Sequence, residues 1–238
     1  MAPPTPRDVT ITGGTGYVGR PLGEALVARG HRVRVLARAA SLSRVVDGAT
    51  AVQGDALDAG SVERSLVAGA TLVHLVGTPH PSPSKAAEFE AVDVASILAS
   101  VRAASRARLP HLVYVSVAHP APVMRAYVDA RSRGEAAIVA AGLTATILRP
   151  WYVLGPGHRW PLIVLPLVAL AERVPATRDS ARRLGFVTLA QMVAALVHAV
   201  EHPPERGERR IVDVPAIRAA SLNATADAGE QVLAPTRH

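Results

Sequence analysis

The sequence predicts an α/β protein with a doubly wound, mostly parallel β-sheet covered by helices on both faces. Three observations predict this fold class. Short β-branched or apolar runs alternate with amphipathic segments along the chain. No internal repeat interrupts the alternation, and a glycine-rich turn joins the first run to the first amphipathic segment. Such alternation indicates βαβ units with buried parallel strands. A length of 238 residues with 49% hydrophobic content is enough for one large domain with a substantial core.

The first predicted strand ends in a cluster of glycines, and an amphipathic segment from Tyr17 to Arg29 follows directly. The order strand, glycine turn, helix is the context in which such a cluster is informative. The cluster fits two spacings, G-x-G-x-x-G at Gly14, Gly16 and Gly19, and G-x-x-G-x-x-G at Gly13, Gly16 and Gly19.

This glycine turn predicts a site for a dinucleotide pyrophosphate. One glycine allows the tight turn, one lets the backbone approach the phosphates, and Gly19 lets the helix pack closely on the strand. The N-terminus of the helix offers free N–H groups and the positive end of its dipole. The alternative is a glycine-rich turn that binds nothing, which the flanking β and α patterns disfavour. The fold class is therefore α/β of the Rossmann type, with a small C-terminal subregion on the substrate side.

The remaining elements follow from periodicity and from glycine or capping residues at their ends. Gly30 ends the first helix, Gly142 ends the long central helix, and Asp58 or Ser61 caps a short helix. Later strands are predicted at Arg32 to Ala37, Ala49 to Gln53, Thr71 to Val76, His111 to Val117 and Thr144 to Leu148, and helices at Ser61 to Leu66, Lys85 to Arg106 and Met124 to Ala141.

The alternation changes after Arg149-Pro150. Residues 151–177 are rich in proline and glycine. An extended segment from Leu184 to Thr188, a helix from Leu189 to Glu201 and a last strand from Arg210 to Val214 follow. We therefore predict a dinucleotide-binding core over 1–150, a substrate or lid region packed on the same domain over 151–218, and a loose tail over 219–238.

Composition excludes several classes of protein. The chain has no cysteine, and therefore no disulfide, thiolate metal site or cysteine nucleophile. The net charge of +7 is almost entirely arginine, and no basic stripe interleaves with the few aromatic residues, so nucleic acid is not an expected partner. No apolar run is long enough to span a bilayer, and the proline-rich N-terminus lacks the apolar core of a signal peptide. We expect a cytoplasmic protein.

Hydrolase and metal sites are also disfavoured. No G-x-S-x-G elbow is present. His198 and His202 are four residues apart, but His202 falls at the end of its helix, so both are interpreted as surface histidines near a helix C-terminus. We predict no metal site.

Four segments in order resemble landmarks of the short-chain dehydrogenase/reductase superfamily. They are the turn Thr12 to Gly19, which is similar to TGGTGxxG, then Gly54-Asp55-Ala56, then Tyr127 to Glu135, which reads Y-x-x-x-R-x-x-x-E, and Thr146 to Pro150, which reads TILRP. The chain looks most like the atypical and extended branches, which include NAD(P)-binding epimerase-like proteins, NmrA-like proteins and relatives of the 39-kDa accessory subunit of respiratory complex I. The resemblance covers about residues 8 to 215.

The resemblance implies a set of cofactor-binding residues. Arg38, just after strand two, lies where the family chooses between NAD and NADP, and an arginine suits a 2′-phosphate. No acidic residue occurs from Val33 to Val46, so NADP is favoured over NAD, with a solvated loop charge as the alternative for Arg38. The implied set comprises Gly13, Thr15, Gly16, Tyr17, Val18 and Gly19 at the pyrophosphate, Asp55 and Ala56 at the adenine, Val76 and Gly77 near the ribose, Ser116 at the end of strand five, Arg131, and Pro150 beside the nicotinamide. Asp55 could equally serve the turn beside Gly54.

The reactive end departs from the family pattern. The resemblance implies that Tyr127 transfers a proton and that position 131, one helical turn away, binds the ribose. Position 131 is arginine where the family has lysine, and arginine never donates a proton. The catalytic hydroxyl expected just after Ser116 is replaced by Val117 and Ala118. The asparagine expected in the family's fourth helix is Asp93, in the predicted helix from Lys85 to Arg106. Tyr127 as a helix aromatic that covers the sheet is the alternative.

These features favour an NADP(H)-binding oxidoreductase that transfers hydride to a carbonyl, a quinone or an activated double bond. Tyr127 and Arg131 are the catalytic candidates. The alternatives are a non-catalytic NAD(P)H sensor or assembly protein and an NAD-dependent sugar-nucleotide epimerase or dehydratase. Trp151, Trp160 and the apolar run from Leu162 to Ala171 favour an apolar or aromatic small-molecule substrate. The sequence does not predict an oligomeric state.

Overall fold

The central sheet has seven parallel strands. The computed structural model describes residues 5–121, 123–156 and 184–220. Within them the strand order is β3-β2-β1-β4-β5-β6-β9. The strands are β1 (Asp8–Thr12), β2 (Arg32–Ala37), β3 (Thr50–Gln53), β4 (Thr71–His74), β5 (His111–Val115), β6 (Ala145–Leu148) and β9 (Arg209–Val212), and a separate parallel pair is formed by β7 (Tyr152–Leu154) and β8 (Phe186–Thr188). The predicted doubly wound α/β fold is confirmed.

Helices cover both faces of the sheet and connect its strands. α1 and α6 pack against each other on one face, and α2, α4 and α5 lie on the other. The helices are α1 (Gly19–Ala28), α2 (Ala59–Ser65), α3 (Ala86–Glu88), α4 (Ala95–Arg106), α5 (Arg125–Ala140) and α6 (Leu189–Glu201), with 3₁₀ turns at Ala39–Arg44 and Pro83–Lys85, a π-helical turn at Phe89–Val94, and a last helical segment at 214–220.

Residues of β2, β4, β5 and β6 contribute to two separate cores, one on each face of the sheet. Val9 and Ile11 of β1 face α1 and α6, where they meet Leu22 and Leu196. On the other face, Leu72, Leu112 and Ile147 of three adjacent strands pack with residues of α2, α4 and α5. The near-continuous apolar strands are buried on both sides, as a parallel sheet requires.

The strand order reverses at β1, which lies between β2 and β4. The connections on either side of β1 run in opposite directions along the sheet and leave a crevice outside the carboxyl ends of the strands. Ligands of doubly wound proteins bind in this crevice. The glycine turn 13–19 follows β1 directly and therefore lies at this crevice.

Several element ends differ from those expected from the sequence. β4 ends at His74, two residues before Val76, and the segment from Lys85 to Arg106 is divided by the π-helical turn. Asp58 caps α2 through hydrogen bonds from the N–H groups of Gly60 and Ser61. Residues 219 and 220 of the predicted tail end the helical segment 214–220. The rest of that tail, Trp160 and the run from Leu162 to Ala171 lie outside the described residues.

Candidate functional site

The glycine turn is packed so tightly that Gly13 and Gly19 cannot carry side chains. Gly13 has a φ of +78°, and a Cβ there would lie 2.9 Å from the carbonyl carbon of Leu75. A Cβ on Gly19 would lie 2.2 Å from the carbonyl oxygen of Gly13. The first turn of α1 therefore lies directly against the loop, and the loop lies against the chain that follows β4. A cradle of this kind presents main-chain atoms to a ligand.

The N-terminus of α1 is free of side-chain caps. In the described chain the N-cap residue of α1, Val18, offers no side-chain hydrogen bond to the helix, and the first turn of α1 holds no acidic residue. Gly16 is exposed, and Thr15, Tyr17 and Val18 are half-buried, so the loop is open on its outer side. Uncapped N–H groups with the positive end of a helix dipole form a site for phosphate.

The residues expected at the adenine end lie on the surface. Arg38 follows β2 directly and is exposed, and in the described structure its guanidinium has no ion-pair partner. Asp55 is also exposed, and its Oδ1 accepts a hydrogen bond of 3.0 Å from the N–H of Leu57. That bond makes Asp55 a turn residue, and its second oxygen stays open to solvent. Ala56, beside it, is half-buried.

Arg131 is buried and fixed by three elements. Its Nη2 lies 2.8 Å from Oδ1 of Asp93, with only 7% and 0% of the two side chains exposed. Its Nη1 donates to the carbonyl oxygens of Val76 at 3.3 Å and Val115 at 3.2 Å. A Cβ on Gly77 would lie 2.0 Å from Nη2, so the guanidinium lies directly on that glycine. Arg131 therefore reaches the strand ends where the ribose is expected.

Asp93, the partner of Arg131, lies in the π-helical turn. Its Oδ2 accepts hydrogen bonds from the N–H of Thr78 at 3.0 Å and from the hydroxyl of Thr78 at 2.6 Å. Asp93 stands where the family has a neutral asparagine and Arg131 where it has lysine. The structure shows that these two departures meet each other as an ion pair.

Tyr127 lies beside this pair. Its ring packs on Phe89 at 5.1 Å between centroids, and the guanidinium carbon of Arg131 lies 5.3 Å from its ring centre. Burial opposes the charge on Arg131, but Tyr127, Tyr114 and Asp93 outweigh burial and raise the pKa of Arg131 above its ordinary value. Tyr127 and Arg131 thus share one site, as the helical spacing predicts.

One donor of Arg131 has no partner. Among the described residues, Nε of Arg131 is buried without a hydrogen-bond acceptor. A buried guanidinium N–H without an acceptor is costly. The unpaired donor, the glycine cradle and the uncapped α1 together fit a phosphorylated, hydroxyl-bearing cofactor. In this arrangement the turn 13–19 would hold its phosphates and Arg131 its ribose.

A second polar cluster lies at the ends of β5 and β6. Glu135 of α5 accepts from the Ser116 hydroxyl at 2.5 Å and from Nε of Arg149 at 3.0 Å, and Nε2 of His119 lies 3.3 Å from its Oε1. Burial opposes the charge on Glu135, but the bonds from Arg149 and Ser116 outweigh burial and hold its pKa below the usual value. Pro150, next to Arg149, is buried and accepts a bond of 2.9 Å from the N–H of Ala118.

Two buried histidines lie inside the sheet and away from solvent. His74 contacts the hydroxyls of Thr12 and Ser100, and burial, helped by Arg131, lowers its pKa to about 3. His111 bonds to Thr146, and burial lowers its pKa to about 4. Both are therefore neutral at pH 7 and serve to connect neighbouring strands.

His198 and His202 stack on each other at 4.2 Å at the end of α6, and His202 is exposed. In the part of the chain that the structure describes, no group of three or more histidine or acidic side chains could hold a metal ion. No helix of that part is both long and apolar enough to cross a membrane.

The family model described as NAD(P)H-binding matches residues 13–159, more than half of the chain. This match begins at the glycine turn and ends beyond Pro150. The chain belongs to the NAD(P)H-binding family.

Two curated relatives of this NAD(P)H-binding protein are reductases. It is 30% identical to the 3-diazoavenalumate denitrifying reductase of a Streptomyces species over 81% of this chain and 72% of the relative. It is 29% identical to the ceramide reductase of Caulobacter vibrioides over 79% of this chain. The aligned part spans 59% of that relative's length.

A solved structure supports the same assignment at the level of the fold. The Bordetella bronchiseptica enzyme WbmH in complex with NAD+ matches with a TM-score of 0.64 and 20% identity, over 98% of this chain and 85% of that one. At this level of identity the likeness shows that the two chains share a fold.

The helical spacing of Tyr127 and Arg131 predicts that they lie together, but the sequence does not show how the charged residues pair. Asp93 and Arg131 were both recognised as departures, and their opposite charges were the signal that they could pair. The cluster of Glu135, Arg149 and His119 was not foreseen, because its members come from three elements and match no short motif.

Proposed function

We propose that this chain is an NADP(H)-dependent oxidoreductase that transfers hydride to a carbonyl, a quinone or an activated double bond of a small apolar or aromatic molecule. The observation that carries the proposal is the cradle formed by Gly13 and Gly19 beneath the uncapped start of α1, at the reversal of strand order. A bound dinucleotide would supply hydride at C4 of its nicotinamide.

The chain's own groups would then bind and orient the reactants. Arg131 would anchor the ribose through its unpaired Nε. Tyr127, packed beside Arg131, lies at the family's proton-transfer position. Pro150 and the ends of β5 and β6 would border the nicotinamide. Val76 and Gly77, on which the guanidinium lies, would form the floor beneath the ribose.

The preference for NADP is supported by Arg38. It is exposed directly after β2 and has no ion-pair partner in the described chain, so its charge is available to a 2′-phosphate. We expect NADPH to bind at least tenfold more tightly than NADH when both are titrated by cofactor fluorescence. Arg38→Glu should remove this preference, whereas Arg102→Glu, the same charge change at an exposed site on α4, should leave it intact.

An apolar or aromatic substrate is supported by the β7–β8 pair. Tyr152 and Phe186 meet edge to face at 6.0 Å between ring centroids, and both are half-buried. The names of two relatives refer to ceramide and 3-diazoavenalumate. Phenanthrenequinone and benzaldehyde are suitable first acceptors, with NADPH oxidation followed by absorbance. Binding of small polar acids alone would contradict the proposed pocket.

The second candidate function is a protein that binds NAD(P)H without turnover, as a sensor or assembly subunit. It is favoured by the absence of a hydroxyl at Val117 and Ala118 and by the engagement of Arg131 with Asp93. Dinucleotide binding without oxidation in the presence of either acceptor would support this candidate over the oxidoreductase. The altered proton-transfer residues make a sugar-nucleotide epimerase or dehydratase the weaker alternative.

A further inference from the structure

His119 lies at the carboxyl edge of the sheet, beside the proposed nicotinamide position. The chain after β5 continues alongside β6, where the N–H of Ala118 donates to the carbonyl of Pro150. β5 is two strands away from β1, about 10 Å at the usual strand spacing. His119 therefore lies along the same edge of the sheet as the glycine turn.

The carboxylate of Glu135 orients the ring of His119. Nε2 lies 3.3 Å from Oε1 of Glu135, and Arg149 holds Glu135 in its charged form. A charged carboxylate only accepts hydrogen bonds, so Nε2 must carry a hydrogen. Nδ1 is then the nitrogen that can exchange a proton with a substrate. With 23% of its side chain exposed, the ring can also be reprotonated from solvent.

The other groups of the site are less suited to donate a proton. Val117 and Ala118 have no hydroxyl, and the hydroxyl of Ser116 already donates to Glu135. Tyr127 has Arg131 as its cationic neighbour, but Asp93 compensates that charge at 2.8 Å. The cation that would stabilise a tyrosinate in the family arrangement is therefore neutralised here.

We infer that His119, oriented by Glu135, is the proton donor to the substrate carbonyl, an inference that rests on the proposed function. A bound reduced dinucleotide would supply hydride to the carbonyl carbon, and the C=O π electrons would move to oxygen. That oxygen takes the proton from Nδ1 of the protonated ring, and the N–H electron pair stays on nitrogen. The products are an alcohol, the oxidised dinucleotide and a neutral His119, which regains its proton from water.

The first test does not depend on turnover. Carbethoxylation of histidines by diethyl pyrocarbonate is followed residue by residue with peptide mass spectrometry, on the full chain with and without NADP⁺ and phenanthrenequinone. We expect the two ligands to slow modification of His119 at least fivefold. His202 is the internal control, because it is exposed and lies at the opposite, amino edge of the sheet. The preceding residue, Glu201, contacts His31 just before β2. Its rate should not change.

The second test measures NADPH binding and carbonyl reduction in the same variants. His119→Gln should lower benzaldehyde turnover about 100-fold or more, the usual contribution of a positioned acid. Its affinity for NADPH should stay within threefold of the unsubstituted protein, which also shows that the variant is folded. Glu135→Gln should lower turnover by a smaller factor, since it weakens the orientation of His119 and leaves the ring in place.

The outcomes separate the inference from the proposed function. Failure of the unsubstituted protein to bind NADPH would overturn both. Binding that leaves His119 modification unchanged would overturn the inference alone. So would turnover that survives His119→Gln within threefold but is lost in Tyr127→Phe.

Discussion

The guanidinium of Arg131 and the carboxylate of Asp93 form a buried ion pair, 2.8 Å apart, between α5 and the π-helical turn. Each residue alone departs from the family pattern, and each alone would leave an uncompensated charge inside the protein. Together they are neutral, and the hydroxyl of Thr78 donates a further hydrogen bond to Asp93. The two departures are therefore one structural unit, and their energetics can be tested as a unit.

Asp93→Asn is expected to destabilise the fold by about 3 kcal/mol, because it leaves the Arg131 charge buried without its partner. The double variant Asp93→Asn, Arg131→Gln removes both charges and should recover part of that loss, which a double-mutant cycle in urea would measure. Arg133→Gln is the control, since Arg133 pairs with Glu90 on the surface and its replacement should change little. Additive effects of the two buried substitutions would contradict a shared pair.

Gly19→Ala is expected to weaken NADPH binding at least tenfold. The new Cβ would lie 2.2 Å from the carbonyl oxygen of Gly13 and 2.6 Å from Cα of Gly14, and both are backbone atoms that cannot rotate away. The loop must then move away from α1, which changes the backbone that is expected to bind the pyrophosphate. Gly60→Ala is the matched control in another helix, because its Cβ would meet only side-chain atoms, the flexible end of Arg64 at 3.2 Å and the Asp58 carboxylate at 3.4 Å. Equal affinities in the two variants would show that the loop does not hold the dinucleotide.

The fold and the glycine turn were predictable because local signals carry them. A β-branched run, a set of glycines and an amphipathic segment occur consecutively over about twenty residues, and each favours one conformation. The pairing of Asp93 with Arg131 was not predictable in the same way. It depends on the π-helical turn, which rotates Asp93 toward α5 in a manner that a regular helical period does not describe.

The Glu135 cluster was beyond prediction for another reason. His119 reaches Glu135 only because the chain after β5 runs beside the end of β6, as the bond from Ala118 to Pro150 shows. That path is a property of the assembled sheet edge. From the sequence alone, His119 was an isolated histidine without the spacing of a metal site.

The free energy of unfolding is expected to fall as the pH is lowered from about 6.5 to 4.5. Unfolded histidine has a pKa of about 6.5. In the folded chain burial lowers the pKa of His74 to about 3 and that of His111 to about 4. The unfolded chain therefore binds more protons in this range, and each histidine contributes at most ~1.4 kcal/mol per pH unit.

His111→Gln keeps a group that can bond to Thr146 but removes one titrating site. It should lower stability at pH 7 and also flatten the pH dependence between 6.5 and 4.5, as measured by urea unfolding at each pH. His198, whose pKa is also lowered by burial, adds in the same direction and accounts for part of any remaining slope. A slope unchanged by His111→Gln would show that His111 already titrates in the folded chain.

Gly77→Ala is expected to act through Arg131. Its Cβ would lie 2.0 Å from Nη2 of Arg131 and 3.1 Å from Oδ1 of Asp93, so the guanidinium would have to leave a position that Asp93 and two carbonyl oxygens hold. Overpacking of this kind costs about 1–3 kcal/mol. In an Arg131→Lys background the branched guanidinium is absent, and the same alanine should cost less. Unfolding in urea across the four combinations measures this coupling, and equal costs in both backgrounds would mean that the close contact of Gly77 with Arg131 does not constrain residue 77.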